Sequence, residues 1–158
     1  MPPLRKQCET ALCAVFGKVD VFMIRYTSCL DGVCADMLDG GFFVGWPNPP
    51  SAAAHLRILA GSYLVRLAVD DSTNKVVGFI TAMSDGVISA YIPLLEVLPA
   101  YQNMGVGGEL VRRMLDSLKG FYMVDVLCDE HLQAYYGKFG MRCATGVMLR
   151  NYDRQSCE

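Results

Sequence analysis

The sequence predicts an α+β fold built on a mixed, mostly antiparallel sheet, and three observations carry that prediction. Residues 63–69 (YLVRLAV) and 75–83 (KVVGFITAM) are apolar, β-branched runs joined by the polar turn Asp70-Asp71-Ser72-Thr73-Asn74, and residues 87–98 follow Ser84-Asp85-Gly86 as a third strand. Three strands in succession form a meander, which excludes a doubly wound parallel sheet. Residues 94–115 (LLEVLPAYQNMGVGGELVRRML) then pass from strand through Pro99 and a Gly-rich turn into an amphipathic helix carrying Leu110, Val111, Met114 and Leu115. Residues 122–127 (YMVDVL) return as a strand, and the crossover places it parallel to the strand before the helix.

Ahead of the meander, residues 1–20 hold at most a short helix and no motif, an extension whose order the sequence leaves open. Residues 21–25 (VFMIR) read as a strand ended by Thr27-Ser28. Over residues 30–38, Leu30, Val33, Cys34, Met37 and Leu38 share one helical face, with Gly40-Gly41 as the stop. Three prolines and a glycine rule out a regular element in FFVGWPNPPS (42–51), while its four large apolar residues predict a packed loop rather than a solvated one. Ser51 caps a helix through Ala52, His55, Leu56, Ile58 and Leu59 to Gly61.

Pro93 removes a ladder donor from the third strand, so a bulge is expected over residues 93–96. The amphipathic helix stops near Lys119-Gly120. Asp129 is positioned to cap a last helix bearing Leu132, Tyr135, Tyr136 and Phe139, with Gly140 as its C-cap, and residues 141–152 close the chain as an apolar strand. One domain is expected over residues 21–152, followed by a tail at 153–158.

Composition narrows the class. Hydrophobic residues make up 53% of the 158 residues and mean hydropathy is +0.27, yet no run approaches the ~18 to 20 apolar residues that span a bilayer. The surplus apolar surface points to a subunit interface or a ligand groove. A net charge of −2 gives no footprint for nucleic acid. The N-terminal MPPLRKQCETALCAVFGK makes a poor signal peptide. The seven cysteines form no C-x-x-C, and neither His55 nor His131 lies near a cysteine pair, which predicts reduced thiols in a cytoplasmic protein and no metal site.

The Gly-rich turn carries the chemistry. Gly105, Gly107 and Gly108 open a helix N-terminus, where unsatisfied N–H groups and the helix dipole favour a phosphate. Glu109 follows Gly108 where a P-loop needs Lys-Ser/Thr, which argues against nucleotide hydrolysis, and Leu110 stands where the third glycine of a dinucleotide fingerprint belongs. What remains is Gln102-Asn103-Met104-Gly105-Val106-Gly107, which resembles the Q/R-x-x-G-x-G/A motif of the GCN5-related N-acetyltransferase (GNAT) family. Tyr135-Tyr136-Gly137-Lys138-Phe139-Gly140-Met141 is similar to the family's F-Y-E-K-L-G-F segment, and Asp129 lies where the family often has Asn. With both motifs in order, the resemblance covers roughly residues 63–152.

The resemblance implies a sheet opened by a V-shaped split with helices on both faces, and acetyl-CoA as acyl donor. The loop of Gln102, Asn103, Met104, Gly105, Val106, Gly107 and Gly108 is then expected to hold the pyrophosphate. The backbone of Val97, with Leu95 and Glu96, is expected to meet the acetyl and pantetheine groups, Asp129 and Tyr136 to border the cofactor, and Tyr136 to protonate the leaving thiolate. Two departures stand out: Gln102 and Asn103 occupy positions where many members carry Arg and Gly, and Gly137 replaces a better helix former beside Tyr136. Glu96 is the only acid of the central strand, and burial among Leu94, Leu95, Val97 and Leu98 would raise its pKa toward that of a general base. Asp129, or a base acting through water, is the alternative. The N-terminal third supplies the acceptor pocket in this family, which makes Phe42, Phe43 and Trp46 candidate lining residues.

The expected activity is acetyl transfer to a primary amine of a small molecule, in a homodimer that binds neither nucleic acid nor membrane. Asp31, Asp36 and Asp39 ahead of the aromatic loop favour a cationic acceptor. Two other readings stay open: a protein or peptide N-acetyltransferase, and a non-catalytic acyl-CoA sensor.

Overall fold

A computed structural model describes residues 23–157. Five strands form one sheet in the order β1 (Ile24–Thr27), β2 (Leu64–Asp70), β3 (Lys75–Ser84), β4 (Ser89–Val97) and β5 (Met123–Val126). The first four are antiparallel neighbours, and β5 runs parallel to β4, as the crossover requires. Helices α1 (Ala35–Leu38) and α2 (Ala52–Gly61) precede β2, α3 (Val106–Leu118) connects β4 to β5, and α4 (Glu130–Gly137) follows β5.

Each face of the sheet has its own core. Leu110, Val111, Met114 and Leu118 of α3 are buried with Ile80 and Ile92 of the sheet. On the other face Leu38 and Leu59, from α1 and α2, pack with Phe43 against Leu67 and Phe79. Alternation along the strands sorts residues between the two, so Leu94 belongs with the second core while Leu95 and Val97 pack against the first. Ser51 caps α2 as its sequence predicts, its Oγ accepting the Ala54 N–H at 3.2 Å.

The bulge falls where Pro93 predicts it. Thr81 pairs with Leu94 and Met83 with Tyr91, so two steps on β3 oppose three on β4 and the extra residue lies at Ile92-Pro93. Beyond it the sheet opens. The β4–β5 ladder runs from Ser89↔Met123 to Ile92↔Val126 and stops, whereas β4 continues to Val97 paired with β3 alone. This is the expected split.

Several expectations are corrected. The helix read over residues 30–38 is a single turn at Ala35–Leu38, because a turn at Asp31-Gly32, closed by the Val33 N–H on the Leu30 carbonyl, and an extended Cys34 precede it. Helix α4 ends at Gly137 and passes through a turn to Gly140 at φ +84°. Asp129 occupies the N-cap of α4, but its carboxylate makes no cap hydrogen bond. The strand read over residues 141–152 does not form. A strand needs a ladder partner, and this segment leaves α4, passes Leu127, and is held at its far end by the loop before α2 and by α2 itself: Asn48 N–H donates to the Gln155 side chain and Arg57 to the Cys157 carbonyl. The proposed helix in residues 1–20, and Val21 and Phe22 of the first strand, lie outside the described residues.

Candidate active site

Five residues of β4, from Pro93 to Val97, form one lip of the split. The Leu98 N–H bonds the Val77 carbonyl at 2.8 Å, and an antiparallel ladder alternates. The backbone groups of Leu95 and Val97 therefore face the split, while those of Glu96 face β3. Of the three residues expected to present their backbone to a ligand, Leu95 and Val97 turn theirs to the split, whereas Glu96 turns its backbone to β3 and its side chain toward Phe43. Gln102 is folded back on this lip, its Nε2 donating to the Val97 carbonyl at 2.9 Å.

Below Val97 the chain turns through Pro99–Tyr101 and enters the Gly-rich loop. The Tyr101 hydroxyl donates to buried Asp70 at 2.6 Å and ties this turn to the end of β2. Hydrogen bonds from Ser72 and Tyr101 hold the Asp70 carboxyl below the usual range, and the same bond pushes the Tyr101 phenol up to about 12. Asn103 (φ +61°) and Gly105 (φ +84°) are left-handed, and Gly105 is the N-cap of α3. Glu109 N–H makes the first helical bond, to the Gly105 carbonyl, so the N–H groups of Val106, Gly107 and Gly108 have no partner within the helix. Unpaired donors at a helix start, without side chains at 105, 107 and 108, make a cradle for an anion.

Gly107 has a second duty. A Cβ there would sit 3.2 Å from the Tyr135 hydroxyl and 3.5 Å from Val97 Cγ2, so its bare backbone lets α4 and β4 converge on the first turn of α3. This brings the Tyr135 hydroxyl to the first turn of α3, a placement that motif matching assigned to no role. Tyr136 is buried with its ring edge-on to Tyr135 at 5.2 Å between centroids. Burial pushes the Tyr136 phenol up to about 12, so it stays protonated at neutral pH but is a weaker acid than a free phenol. Asp129 is exposed at the start of α4.

The opposite wall comes from the aromatic loop. Glu96 projects toward the α2 face, where its Oε2 accepts the Phe43 N–H at 2.6 Å. It lines a cavity of about 280 Å³ with Gly41, Phe42, Val44, Val97 and Gln102. Burial raises the Glu96 pKa, and the Phe43 bond opposes part of that rise. Phe43 holds a left-handed backbone (φ +62°), unusual for a bulky residue, and that conformation aims its N–H at the carboxylate. Its ring is buried against Trp46, His55 and Phe79. The three aromatics therefore divide: Phe42 lines the cavity, Phe43 is core and holds Glu96 through its backbone, and Trp46 covers Phe43 while remaining partly exposed.

His55 was not anticipated as part of this wall. Its ring lies 4.3 Å from Phe79 and 5.1 Å from both Phe42 and Phe43, its Nε2 has no hydrogen-bond partner, and burial lowers its pKa to about 4. A neutral imidazole serves here as a fourth aromatic ring. No group of three or more potential metal ligands occurs among the described residues.

Comparison with known proteins agrees with this architecture. Residues 34–141 match the acetyltransferase (GNAT) family. The chain belongs to that family. An acetyltransferase candidate from Deinococcus radiodurans R1 shares 41% identity at a TM-score of 0.81, over 84% of this chain and 92% of that one. A GNAT family protein from Streptococcus pneumoniae TIGR4 shares 28% identity at a TM-score of 0.62, over 82% and 98%. GCN5-related N-acetyltransferase 1, chloroplastic, of Arabidopsis thaliana is 26% identical over 122 residues; the chain spans 60% of that relative's length. Both the family match and the structural relatives fit a GNAT sheet opened between β4 and β5. No helix of the described residues is long and apolar enough to cross a membrane.

Proposed function

We propose that this GNAT domain transfers an acetyl group from acetyl-CoA to a primary amine of a small molecule. The observation that carries the reading is the split: past Ile92 it has the α3 cradle at one end and the Glu96 carboxylate on its flank. The chain's residues fit the donor. Backbone N–H groups of residues 106–108 would hold the pyrophosphate, the split-facing backbone of Leu95 and Val97 would orient the pantetheine arm, and Asn103 and Met104 would border the loop. Acetyl-CoA supplies an activated thioester carbonyl.

Glu96 removes the proton of the acceptor ammonium, and its raised pKa suits that task better than an ordinary carboxylate's. The Phe43 N–H keeps the carboxylate oriented. Tyr136 offers its hydroxyl to the departing sulfur; at about 12, it acts more through a hydrogen bond than through full proton transfer. Phe42 and Val44 border a cavity of about 280 Å³ beside Glu96, a volume that favours a small amine over a polypeptide, and Trp46 backs this wall by covering Phe43. The five described cysteines are free, which supports a reducing, cytoplasmic setting. Exposed apolar residues, Val147 and Leu149 among them, support a homodimer.

The test is thermal stability with acetyl-CoA, CoA, ATP and NAD, followed by an amine and peptide screen read by free-thiol release. A ligand at 100 times its dissociation constant adds about 2.7 kcal/mol. Stabilisation by the two CoA species alone, with thiol release on small amines, is the expected result. Release on peptides alone assigns a protein acetyltransferase, stabilisation without any release assigns a sensor, and no stabilisation by either CoA species overturns the reading.

A further inference from the structure

Helix α3 lies across β2 with an arginine from each element lining the same space. Alternation along β2 puts Leu64, Arg66 and Ala68 on the α3 face of the sheet, where Leu64 and Ala68 join the first core. Arg66 carries its charged head past that core to the far end of α3, its Nη2 donating to the Ser117 hydroxyl at 2.5 Å. Ser117 in turn donates to the Arg113 carbonyl at 2.9 Å, so its hydroxyl is satisfied in both directions and clamps the guanidinium. The Arg66 Nε is buried and has no hydrogen-bond partner, and among the described residues Arg66 forms no ion pair. A buried donor without an acceptor is rare in folded proteins, and a guanidinium cannot shed its charge to escape the cost.

Arg113, one turn before Ser117, lines the same cavity of about 430 Å³, together with Tyr26 and Ser28 at the end of β1 and with Asp116. Its Nε donates to Glu109 at 2.6 Å, and its guanidinium carbon lies 4.8 Å from the centre of the Tyr26 ring. These contacts fix the head and leave its terminal nitrogens without a partner among the described residues. Two guanidiniums and two hydroxyls thus line one space that holds a single carboxylate. A helix rises ~1.5 Å per residue, so Arg113 and Ser117 stand about 9 and 15 Å along α3 from Gly107. The cavity is therefore separate from the cradle at the helix start.

We propose that this cavity binds a phosphate group, either the free ion or that of a small monoester. The recognition follows from the donors. Arg66 offers its unpaired Nε from the sheet, Arg113 offers its terminal nitrogens from the helix, and the hydroxyls of Tyr26 and Ser28 complete the wall. Donors arriving from two elements suit a tetrahedral anion, whereas a planar carboxylate is gripped edge to edge by one guanidinium. Two guanidiniums also match the roughly two negative charges of a phosphate monoester. Asp116 weakens the attraction without cancelling it, being one carboxylate against two cations. The volume lies in the range of cavities that hold small organic ligands, which leaves room for the organic part of an ester. None of this depends on acetyl-CoA occupying the split.

Nitrogen–proton NMR of the arginine Nε–Hε groups in the full chain tests it, because a buried Hε exchanges slowly with water and reports on its own surroundings. The Arg66 signal is assigned through its backbone, so this buried residue need not be substituted. Inorganic phosphate, glycerol 3-phosphate and acetate are titrated at an ionic strength held constant with sodium chloride. The expected result is a saturable shift of the Arg66 Hε with phosphate, at concentrations where acetate and chloride leave it in place. A lower midpoint for glycerol 3-phosphate assigns an ester as the ligand, and a lower midpoint for inorganic phosphate assigns the free ion. Arg113→Gln, made at the half-exposed arginine, is expected to raise the midpoint about tenfold, the loss of one charge-assisted hydrogen bond. A midpoint that Arg113→Gln leaves unchanged places the phosphate elsewhere, at the α3 cradle for instance, and overturns the site. An equal shift with acetate overturns the choice of phosphate, and no saturable shift with either phosphate compound overturns the proposal.

Discussion

The two walls of the split are assembled in opposite ways. One comes from residues 97–108, neighbours in the chain, whose turn and helix start bring backbone donors together by local geometry. The other presents Glu96, held by the N–H of Phe43, 53 positions earlier in the chain, whose ring packs on buried His55 and Phe79. A wall built locally from backbone is insensitive to most side-chain changes but intolerant of a Cβ at its closest approach. A wall built from distant side chains fails when any one is lost, and it responds to pH because it buries ionisable groups. Five substitutions test this contrast.

The largest effect is expected at the packed wall. Glu96→Gln keeps the shape and the Phe43 hydrogen bond but removes the base, so kcat falls by about 10²–10⁴ while CoA affinity is unchanged, as thiol release and calorimetry measure. Below the raised Glu96 pKa the carboxyl is protonated, so the wild-type rate rises with pH through that pKa, and this acidic limb disappears in the variant. A rate unaffected by the change would assign the base to water.

At the local wall, Gly107→Val drives its Cβ toward the Tyr135 hydroxyl and Val97, at 3.2 and 3.5 Å, and narrows the cradle. CoA affinity is expected to fall about 100-fold, near 2.7 kcal/mol. Calorimetric titration with CoA measures the loss, and unchanged affinity would remove the cradle from the cofactor site.

The paired tyrosines sharpen the comparison where the walls meet. Tyr136→Phe lowers kcat by about tenfold, less than a usual general acid, because a phenol near 12 gives up its proton reluctantly. Tyr135→Phe instead raises the KM for acetyl-CoA, since its hydroxyl lies at the cradle. The reverse pattern would exchange the two roles.

The last effect is on stability and leaves the chemistry at neutral pH untouched. His55 has a folded pKa of about 4 against an ordinary 6.5, so between those values the unfolded chain binds a proton that the folded chain refuses. Stability is therefore lost as pH falls from 6.5 toward 4, by up to about 1.4 kcal/mol per pH unit. His55→Leu keeps the site apolar and removes that slope, as urea titrations at several pH values measure.

The contrast also explains what could be read in advance. The meander, the Ser51 cap, the Pro93 bulge and the Gly-rich helix start are written in neighbouring residues, because turn chemistry, capping and strand alternation act over a few positions. Glu96 was legible as an isolated acid in an apolar strand. Its hydrogen bond to Phe43 was not, since a left-handed phenylalanine leaves no mark in composition or period. His55 was invisible for a related reason: on a helix, one histidine among alanines and leucines has the same spacing whether it binds, titrates or packs.

Residues 141–152 mark the limit most clearly. Their apolar pattern specifies a capacity for strand, but a strand exists only beside a partner, and among the described residues this segment pairs with none. Short-range geometry thus set the meander, the Ser51 cap, the Pro93 bulge and the Gly-rich helix start, and with them the motifs of the family. The tertiary structure alone decided which carboxylate the loop grips, which tyrosine meets the cradle and which edge of the sheet is left open, because those depend on residues that meet only after the chain has packed.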